Sequence, residues 1–207
     1  MENNEQPSFV NNESTECTQE TKKQLTVISY LHDLVFGLVG ILLVFMLLFR
    51  VVVVSGPSMM PTLQNGDCLI LLSNVFYNDP KYGDIVVASK DSYKNSEPII
   101  KRVIATEGQE VDIDFEKGIV YVDGVALSEP YTNTPTNLFE GVSFPLVVDK
   151  GCVFVMGDNR NDSKDSRNPQ IGQIDRREIL GKALILALPG KSADTGKREL
   201  NRIGALR

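Results

Sequence analysis

Residues 34–54 read LVFGLVGILLVFMLLFRVVVV, an apolar stretch in which Arg50 is the one charged residue. A helix that crosses the hydrocarbon core of a bilayer needs roughly 20 mostly apolar residues, and this stretch has that length. Arg50 lies near one end, where its long side chain can extend to the polar interface. The stretch therefore predicts one transmembrane helix over residues 34–54.

The segment before this stretch, residues 1–33, is predicted to be a disordered tail, because its beginning is rich in Asn, Glu, Gln, Ser and Thr and lacks apolar periodicity. A cleaved secretory signal is the alternative, but no A-x-A site follows the apolar run and the leader is long and mostly acidic. Lys22 and Lys23 precede the span, which places the N-terminus in the cytoplasm under the positive-inside rule, although Arg50 on the far side opposes this. We expect a single-pass cell-membrane protein whose residues from 55 onward lie outside the cytoplasm.

Charge and histidine content exclude several classes of function. The 207-residue chain has a formal net charge of −6 and a pI near 4.9, so it lacks the basic surface that nucleic-acid binding requires. The one histidine, His32, precedes the apolar stretch, so neither a Ser-His-Asp triad nor a His-containing zinc cluster can form after residue 54. Cys17, Cys68 and Cys152 show no CxxC spacing. Cys68 and Cys152 either pair, if the domain is extracellular, or are small buried hydrophobic residues.

Residues 55–190 contain short β-branched segments bounded by Gly, Pro, Asp or Asn, a pattern of strands and turns. The predicted strands lie within residues 68–72, 84–89, 98–105, 111–115, 119–127 and 152–157. Lys117-Gly118 and Asp123-Gly124 are predicted hairpin turns. Residues 179–190 are too short for a second membrane span and are predicted to form a buried terminal strand. The polar tail, residues 191–207, is predicted to be solvated, with contact to anionic lipid or cell wall as the alternative.

Three segments are unusual for a plain β domain. The first is VVVVSGPSMMPTL, residues 51–63, in which a β-branched run breaks at Gly56-Pro57 and leaves Ser58 on a turn. Such a break can expose a hydroxyl group, but a serine beside Gly-Pro is more often an ordinary turn residue.

The second segment is PIIKRVIA, residues 98–105, in which strand alternation places Lys101 between Ile99 and Val103 on one face. If that face is covered, burial disfavours the charged amine and lowers its pKa from about 10.4 by several units. A lysine with such a pKa can accept a proton. The alternative is an edge-strand lysine that prevents pairing with other chains.

The third segment is MGDNRNDSKDSRNPQIG, residues 156–172, a polar run directly after a predicted strand. A calcium-binding EF-hand loop that starts at Asp158 would need a glycine and a glutamate where this chain has Ser163 and Pro169, so that pattern fails. A generic acidic surface loop remains the alternative. Because the domain has no histidine, a buried lysine is the best remaining base for activating a serine hydroxyl.

Together the three segments resemble the hallmark boxes of the bacterial type I signal peptidases, which read here SGPSMMPTL, IIKRVIATEG and GDNRNDSKDSR. Their order, their spacing and the preceding apolar span all agree, over residues 34–190. The resemblance implies a mainly β fold: an antiparallel-sheet catalytic domain of the signal-peptidase type over residues 55–190, preceded by one N-terminal transmembrane helix.

The resemblance also implies roles for individual residues. The nucleophile falls on Ser58 and the general base on Lys101. The serine that orients the lysine falls on Ser163, and the charged residues that brace the site fall on Asp165 and Arg167. The residues that shape the turn of the same box are Asp158 and Asn159. The positions that line shallow apolar pockets for small substrate side chains are Met59, Leu63, Ile100, Val52 and Val54.

The chain departs from the best-known enteric pattern at Gly56, where that pattern has a serine that helps to bind the oxyanion. The backbone N–H of Ser58 is then expected to carry more of this stabilisation, with a water or another hydroxyl as its partner. Gly56 resembles the Gram-positive branch of the family. The second box continues as ATEGQ rather than GLPGD, which alters the loop after Lys101.

The expected function is removal of N-terminal signal peptides from exported precursors, after small residues, through an acyl-enzyme and without a metal or cofactor. The expected partners are signal peptides and the lipid bilayer. Two alternatives remain open. A Ser/Lys self-cleaving repressor would carry a DNA-binding helix-turn-helix in place of residues 1–54, whereas a membrane-anchored β module without catalysis would not need Ser58 and Lys101.

Overall fold

The protein was analysed as a computed structural model that describes residues 12–91, 93, 96–192 and 196–206. The chain divides into two compact units, Met1–Met46 and Leu47–Arg207. In the first unit the structure describes helix α1, Asn12–Leu48. The last two residues of α1, Leu47 and Leu48, are assigned to the second unit. The second unit is built from antiparallel strands, as the sequence predicts.

Within α1, residues Ile28–Leu48 form a helix long and apolar enough to cross a membrane, and none of this portion is buried. The predicted helix bounds, 34–54, are wrong at both ends. The helix ends at Leu48 because the following residues pair with a neighbouring strand. Residues 12–33, predicted to be disordered, belong to α1, and their Glu, Gln, Lys and Leu residues favour helix. Residues 1–11 of the predicted tail lie outside the described residues.

Twelve strands are described in the second unit. They are β1 Phe49–Val53, β2 Cys68–Ser73, β3 Ile85–Ala88, β4 Ile99–Thr106, β5 Glu110–Asp114, β6 Ile119–Val122, β7 Val125–Ala126, β8 Leu146–Val147, β9 Cys152–Met156, β10 Ile174–Asp175, β11 Ile179–Leu188 and β12 Gly204–Ala205. Short 3-10 helices cover Arg176–Glu178 and Leu200–Arg202.

The strands form two sheets. The larger has the order β1-β2-β11-β3-β4-β9-β10, with β12 also paired to β11, and the smaller has the order β7-β6-β5-β8. The predicted hairpin turns are present, with Gly118 and Gly124 at φ angles of 69° and 76° that glycine adopts most readily. The predicted terminal strand, β11, is confirmed and lies in the middle of the larger sheet.

Three hydrophobic clusters form the core of the second unit. Strand β4 contributes to all of them, because Ile100 packs in the first cluster, Val103 in the second and Ile104 in the third. Residues 100–105 of this strand are all buried. A side chain on β4 is therefore removed from water on either face of the sheet. Cys68 and Cys152 are both free thiols, so the alternative of a disulfide between them is not adopted.

The C-terminal tail is bound to the larger sheet, although most of its described residues are exposed. Strand β12 pairs with β11, and the backbone N–H of Leu206 donates to the carbonyl of Leu184 at 2.9 Å. Leu206 also packs against the first hydrophobic cluster. Most described residues of the predicted solvated tail, 191–207, are exposed. The pairing of residues 204–206 with the part of β11 beyond Lys182, which β3 leaves unpaired, was not predicted. Residues 193–195 and 207 lie outside the described residues.

The close packing of β11 on β2 generates a stability prediction. A Cβ atom at Gly181 would lie 2.3 Å from the backbone oxygen of Leu72, which cannot move freely. We expect Gly181→Ala to lower the free energy of unfolding by about 2 kcal/mol, since overpacked sites cost this much. Thermal unfolding in detergent measures the effect. The matched control is Gly204→Ala, whose Cβ meets no atom within 4 Å; equal melting temperatures for the two variants would contradict the prediction.

Candidate active site

Ser58 lies on a loop that follows β1 and closes on itself. We call residues 54–67 the Ser58 loop. Its base is closed by hydrogen bonds from the Val54 N–H to the Asp67 carbonyl and from the Gly66 N–H to the Val54 carbonyl, both 2.8 Å. Gly56 has a φ angle of 91°, in the region that favours glycine. The chain therefore breaks at Gly56 as the sequence predicts and holds Ser58 on a turn.

Lys101 projects from β4 toward the Ser58 loop. Its Nζ lies 2.7 Å from Ser58 Oγ and 3.0 Å from the carbonyl oxygen of Ile100. The lysine is only 4% exposed, because β4 is an inner strand between β3 and β9. The structure thus brings together the two residues that the sequence singled out, within hydrogen-bond distance of each other.

Burial changes the acidity of this lysine. Removal from water lowers the pKa of Lys101 to about 8, against the opposing effect of Asp165, Glu140 and Asp158, whose negative charges raise it. The positive charge of Arg167 lowers it further. A pKa near 8 leaves a sizeable neutral fraction at mildly alkaline pH. A neutral amine at 2.7 Å from a hydroxyl oxygen can take the hydroxyl proton.

Asp165 is the buried centre of the third box. It accepts hydrogen bonds from Ser163 Oγ at 2.9 Å, from the Gly157 N–H at 2.9 Å and from Arg167 Nε at 2.8 Å. Burial would raise the pKa of Asp165, but the contacts with Arg167 and Gly157 outweigh burial and lower it. Asp165 therefore stays ionised and orders the loop around it.

Ser163 bonds to Asp165, and its role in orienting Lys101 stays a prediction. Its hydroxyl donates to Asp165, whereas the Lys101 amine is bonded to Ser58 and Ile100 within the described part of the chain. Ser163 is thus linked to the lysine only indirectly in this structure. Its close neighbour is Gly157, where a Cβ would lie 2.2 Å from Ser163 Oγ.

Asp158 and Asn159 attach the third box to the Ser58 loop. The Asn159 N–H donates to the Ser58 carbonyl at 3.0 Å, and its side-chain amide donates to the Pro57 carbonyl at 3.2 Å. Asp158 is fully buried and accepts a 2.5 Å hydrogen bond from the Thr62 hydroxyl. These contacts hold the backbone on either side of Ser58.

Two buried arginines were missed by the sequence reasoning. Arg102 donates to both oxygens of Asp158, at 2.8 and 2.7 Å. Arg160 donates to Glu129 and, through Nε, to the Gly157 carbonyl at 3.1 Å. The signal for Arg102 was its position between Ile100 and Ile104 on one face of a predicted strand, since a charge buried there must have a partner.

A cavity of about 430 Å³ opens beside Ser58 and Lys101. Its wall is formed by residues 52–59 and 97–101, with Tyr93, Asp162 and Lys164 at its border. Of the predicted pocket residues, those that border the cavity are Val52, Val54, Met59 and Ile100. Leu63 does not border it, because this side chain is fully buried in the first hydrophobic cluster. The cavity therefore offers an apolar surface next to a serine hydroxyl and a lysine amine.

The backbone N–H groups near Ser58 differ in whether they already donate a hydrogen bond. The Gly56 N–H donates to Asn65 Oδ1 at 3.1 Å, so it is occupied within the loop. In the described part of the chain the Ser58 N–H has no acceptor. This N–H is thus free to bind an oxygen of a molecule in the cavity.

Comparison with known proteins assigns the family. The model of the family "Signal peptidase, peptidase S26" matches residues 27–188. The chain belongs to the signal peptidase family. It is therefore a serine endopeptidase that removes signal peptides, and its three boxes lie within the matched residues.

Several relatives agree with this assignment. The chain is 33% identical to signal peptidase I of Bacillus licheniformis, over 83% of this chain and 94% of that protein. It is 34% identical to signal peptidase I T of Bacillus subtilis, over 86% and 93%. A crystal structure of a signal peptidase I from Enterococcus faecalis is 29% identical, with a TM-score of 0.42, and covers 50% of this chain and 96% of its own.

The tight packing at Gly157 generates a prediction for this signal peptidase. A Cβ at this position would lie 2.2 Å from Ser163 Oγ and 2.5 Å from the Ser58 carbonyl oxygen, so both must move. We expect Gly157→Ala to lower kcat for precursor cleavage by about a hundredfold, since small displacements of reacting groups cost this much. Gly204→Ala, which meets open space, is the control. An unchanged kcat in Gly157→Ala would show that this packing does not position Ser58.

Proposed function

We propose that this signal peptidase cleaves exported precursors through Ser58 as nucleophile and Lys101 as general base, after small residues, at the outer surface of the cell membrane. The observation that carries the proposal is the 2.7 Å contact between Ser58 Oγ and a buried amine of lowered pKa. A base must lie within hydrogen-bond reach of the proton that it removes and must be neutral at working pH. Lys101 meets the first condition, and its pKa of about 8 leaves a sizeable neutral fraction at mildly alkaline pH.

The chemistry proceeds in two stages. Lys101 takes the proton of the Ser58 hydroxyl as Oγ attacks the scissile carbonyl carbon, and the resulting ammonium gives that proton to the leaving amine. The bond between the signal peptide and the mature chain breaks, which leaves an ester on Ser58. Lys101, again neutral, then takes a proton from the water that attacks this ester and returns it to Ser58 Oγ as the ester bond breaks. The signal peptide leaves with a new carboxyl group, which ionises in water.

The oxyanion of each intermediate is stabilised by the backbone N–H of Ser58, since backbone donors aimed at the developing charge lower the barrier. The Gly56 N–H is bonded to Asn65 and Gly56 has no side chain, so neither group of this residue supplies the second donor. A water molecule or another hydroxyl takes that place. The second donor must come from another group because this chain has Gly56 where the enteric pattern has a serine.

Specificity for small residues fits the apolar cavity. An extended peptide lying between residues 52–57 and residues 97–101 presents alternate side chains to the cavity wall. Met59 and Val54 are almost fully buried, so the wall beside them is shallow and well packed. Small side chains fit such a wall, whereas large ones would displace it.

Anchoring fits the apolar portion of α1, Ile28–Leu48, from which β1 follows directly in the chain. Two side chains of β1, Val51 and Val53, are more than 60% exposed, which suits a strand that lies at a bilayer interface. Anchoring confines the enzyme to the surface where signal peptides emerge and so raises the effective substrate concentration. The positively charged Lys22 and Lys23 favour a cytoplasmic N-terminus and a catalytic unit outside the cytoplasm.

Substitution of the two proposed catalytic residues tests the mechanism. We expect Ser58→Ala and Lys101→Met each to lower kcat for precursor cleavage in detergent by at least about a thousandfold, because residues of one catalytic unit fail together. Ser128→Ala and Lys150→Met, at exposed positions, are the matched controls and should retain activity. Mass spectrometry of the products should locate the cut after a small residue.

The pH profile of the unaltered enzyme distinguishes the base. Lys101 must be deprotonated to act, so activity should fall as pH drops below about 8, where the amine becomes charged. An acidic limb near pH 4 would identify a carboxylate as the base instead. Full activity of either Ser58→Ala or Lys101→Met would contradict the proposed mechanism.

A further inference from the structure

The C-terminal tail reaches the base of the Ser58 loop. The 3-10 helix Leu200–Arg202 leads into β12, which pairs with β11 through Ala205 opposite Ile185. Leu206 packs against the cluster that contains residues of the Ser58 loop, among them Met59. This tail lies beyond residues 27–188, which the family model matches. The pairing therefore fixes Arg202 next to the loop.

Asp67, at the base of the Ser58 loop, is a fully buried carboxylate. It accepts hydrogen bonds from two backbone N–H groups, those of Gln64 and Gly190, both at 2.7 Å. It also accepts two from the Arg202 guanidinium, at 3.1 and 2.7 Å. Within the described residues, Arg202 is the only cation paired with Asp67. A buried carboxylate that loses its cation is strongly destabilised, so the loop base depends on this arginine.

Arg202 also contacts the far side of the loop. Its Nη2 donates to the Thr62 carbonyl at 3.3 Å, while the Thr62 hydroxyl donates to Asp158 in the third box. Thr62 is thus held from two directions, by the tail through its backbone and by the third box through its side chain. One planar guanidinium therefore bonds to both Thr62 and Asp67. A lysine amine could not make the same set of hydrogen bonds, because it lacks the planar fork.

We propose that Arg202 is a positioning residue for the reaction: by clamping Asp67 and Thr62 it holds the Ser58 loop where Ser58 Oγ meets Lys101 Nζ. The inference rests on the proposed role of Ser58 as nucleophile. Arg202 acts through the loop and touches neither substrate nor the reacting atoms. The tail therefore acts on the Ser58 loop through the Arg202 side chain.

The clamp affects alignment and not the acidity of the base. The charged residues that shift the pKa of Lys101 most are Asp165, Glu140, Asp158 and Arg167, and Arg202 is not among them. Loss of Arg202 should therefore slow the chemical step without moving the acidic limb of the pH profile. The part of the cavity wall outside the Ser58 loop, residues 52–53 and 97–101, makes no hydrogen bond to Arg202, so we expect KM to change less than kcat.

The test uses the full chain in detergent with a precursor substrate. We expect Arg202→Gln to lower kcat between about tenfold and a hundredfold, the cost of a misplaced reacting group, with KM changed by less than about twofold. Arg202→Lys should recover part of kcat, because it restores the charge without the planar fork. The matched control is Arg198→Gln on the same tail; this arginine is exposed, and within the described residues its side chain donates to the Pro189 carbonyl and not to the Ser58 loop. It should retain full kcat.

The proposal would be overturned if Arg202→Gln had the same kcat as Arg198→Gln. It would also be overturned if Arg202→Gln raised KM alone, or if it shifted the acidic limb of the pH profile. If Arg202→Gln does not fold, the double variant Asp67→Asn with Arg202→Gln removes the unpaired carboxylate and should fold with a lowered kcat. Full kcat in the double variant would also overturn the proposal. Ser58→Ala is assayed in the same experiment. Activity in Ser58→Ala would refute the role of Ser58 as nucleophile. If Ser58→Ala is inactive and Arg202→Gln keeps full kcat, only the proposed role of Arg202 is refuted.

Discussion

Removal of the Lys101 amine from water is the constraint on which the rest of the site depends. Burial on an inner strand lowers the pKa of this amine to about 8, which makes it a base that can act on Ser58. The Lys101 amine can act as a base only while the Ser58 hydroxyl stays within hydrogen-bond distance of it. The Ser58 loop is accordingly fixed at its base, at the Ser58 carbonyl and at Thr62.

A buried lysine stays neutral only if nearby carboxylates do not pair with it. The domain places several buried or nearly buried carboxylates around the site, and four of them are each paired with a different arginine. These pairs are Asp158 with Arg102, Asp165 with Arg167, Glu129 with Arg160 and Asp67 with Arg202. Arginine suits this task because its planar fork binds both carboxylate oxygens and it keeps its charge when buried. Lys101 is left with a hydroxyl and a carbonyl as hydrogen-bond partners.

The sequence predicted the features that depend on local residue patterns. The strands, the hairpin glycines and the pairing of Ser58 with Lys101 follow from alternation, turn residues and the absence of histidine after residue 54. It did not predict the end of α1 at Leu48, because residues 49–53 are apolar enough for either a span or a strand and only pairing with β2 decides between them. Long-range ion pairs were also missed, since nothing local links Arg202 to a carboxylate 135 positions away. The resemblance assigns Ser163 to orienting the lysine, and its bond to Asp165 was not predicted.

The mechanism depends on a sizeable neutral fraction of Lys101 at mildly alkaline pH, which burial beside Ser58 provides. Direct titration of the Lys101 side chain by NMR, with the enzyme labelled at its lysine amines and assigned through Lys101→Met, measures this most directly. The account predicts a pKa of about 8 for this one lysine. A pKa at or above the ordinary lysine value of about 10.4 would contradict it, because the amine would then be charged and unable to accept the proton of Ser58.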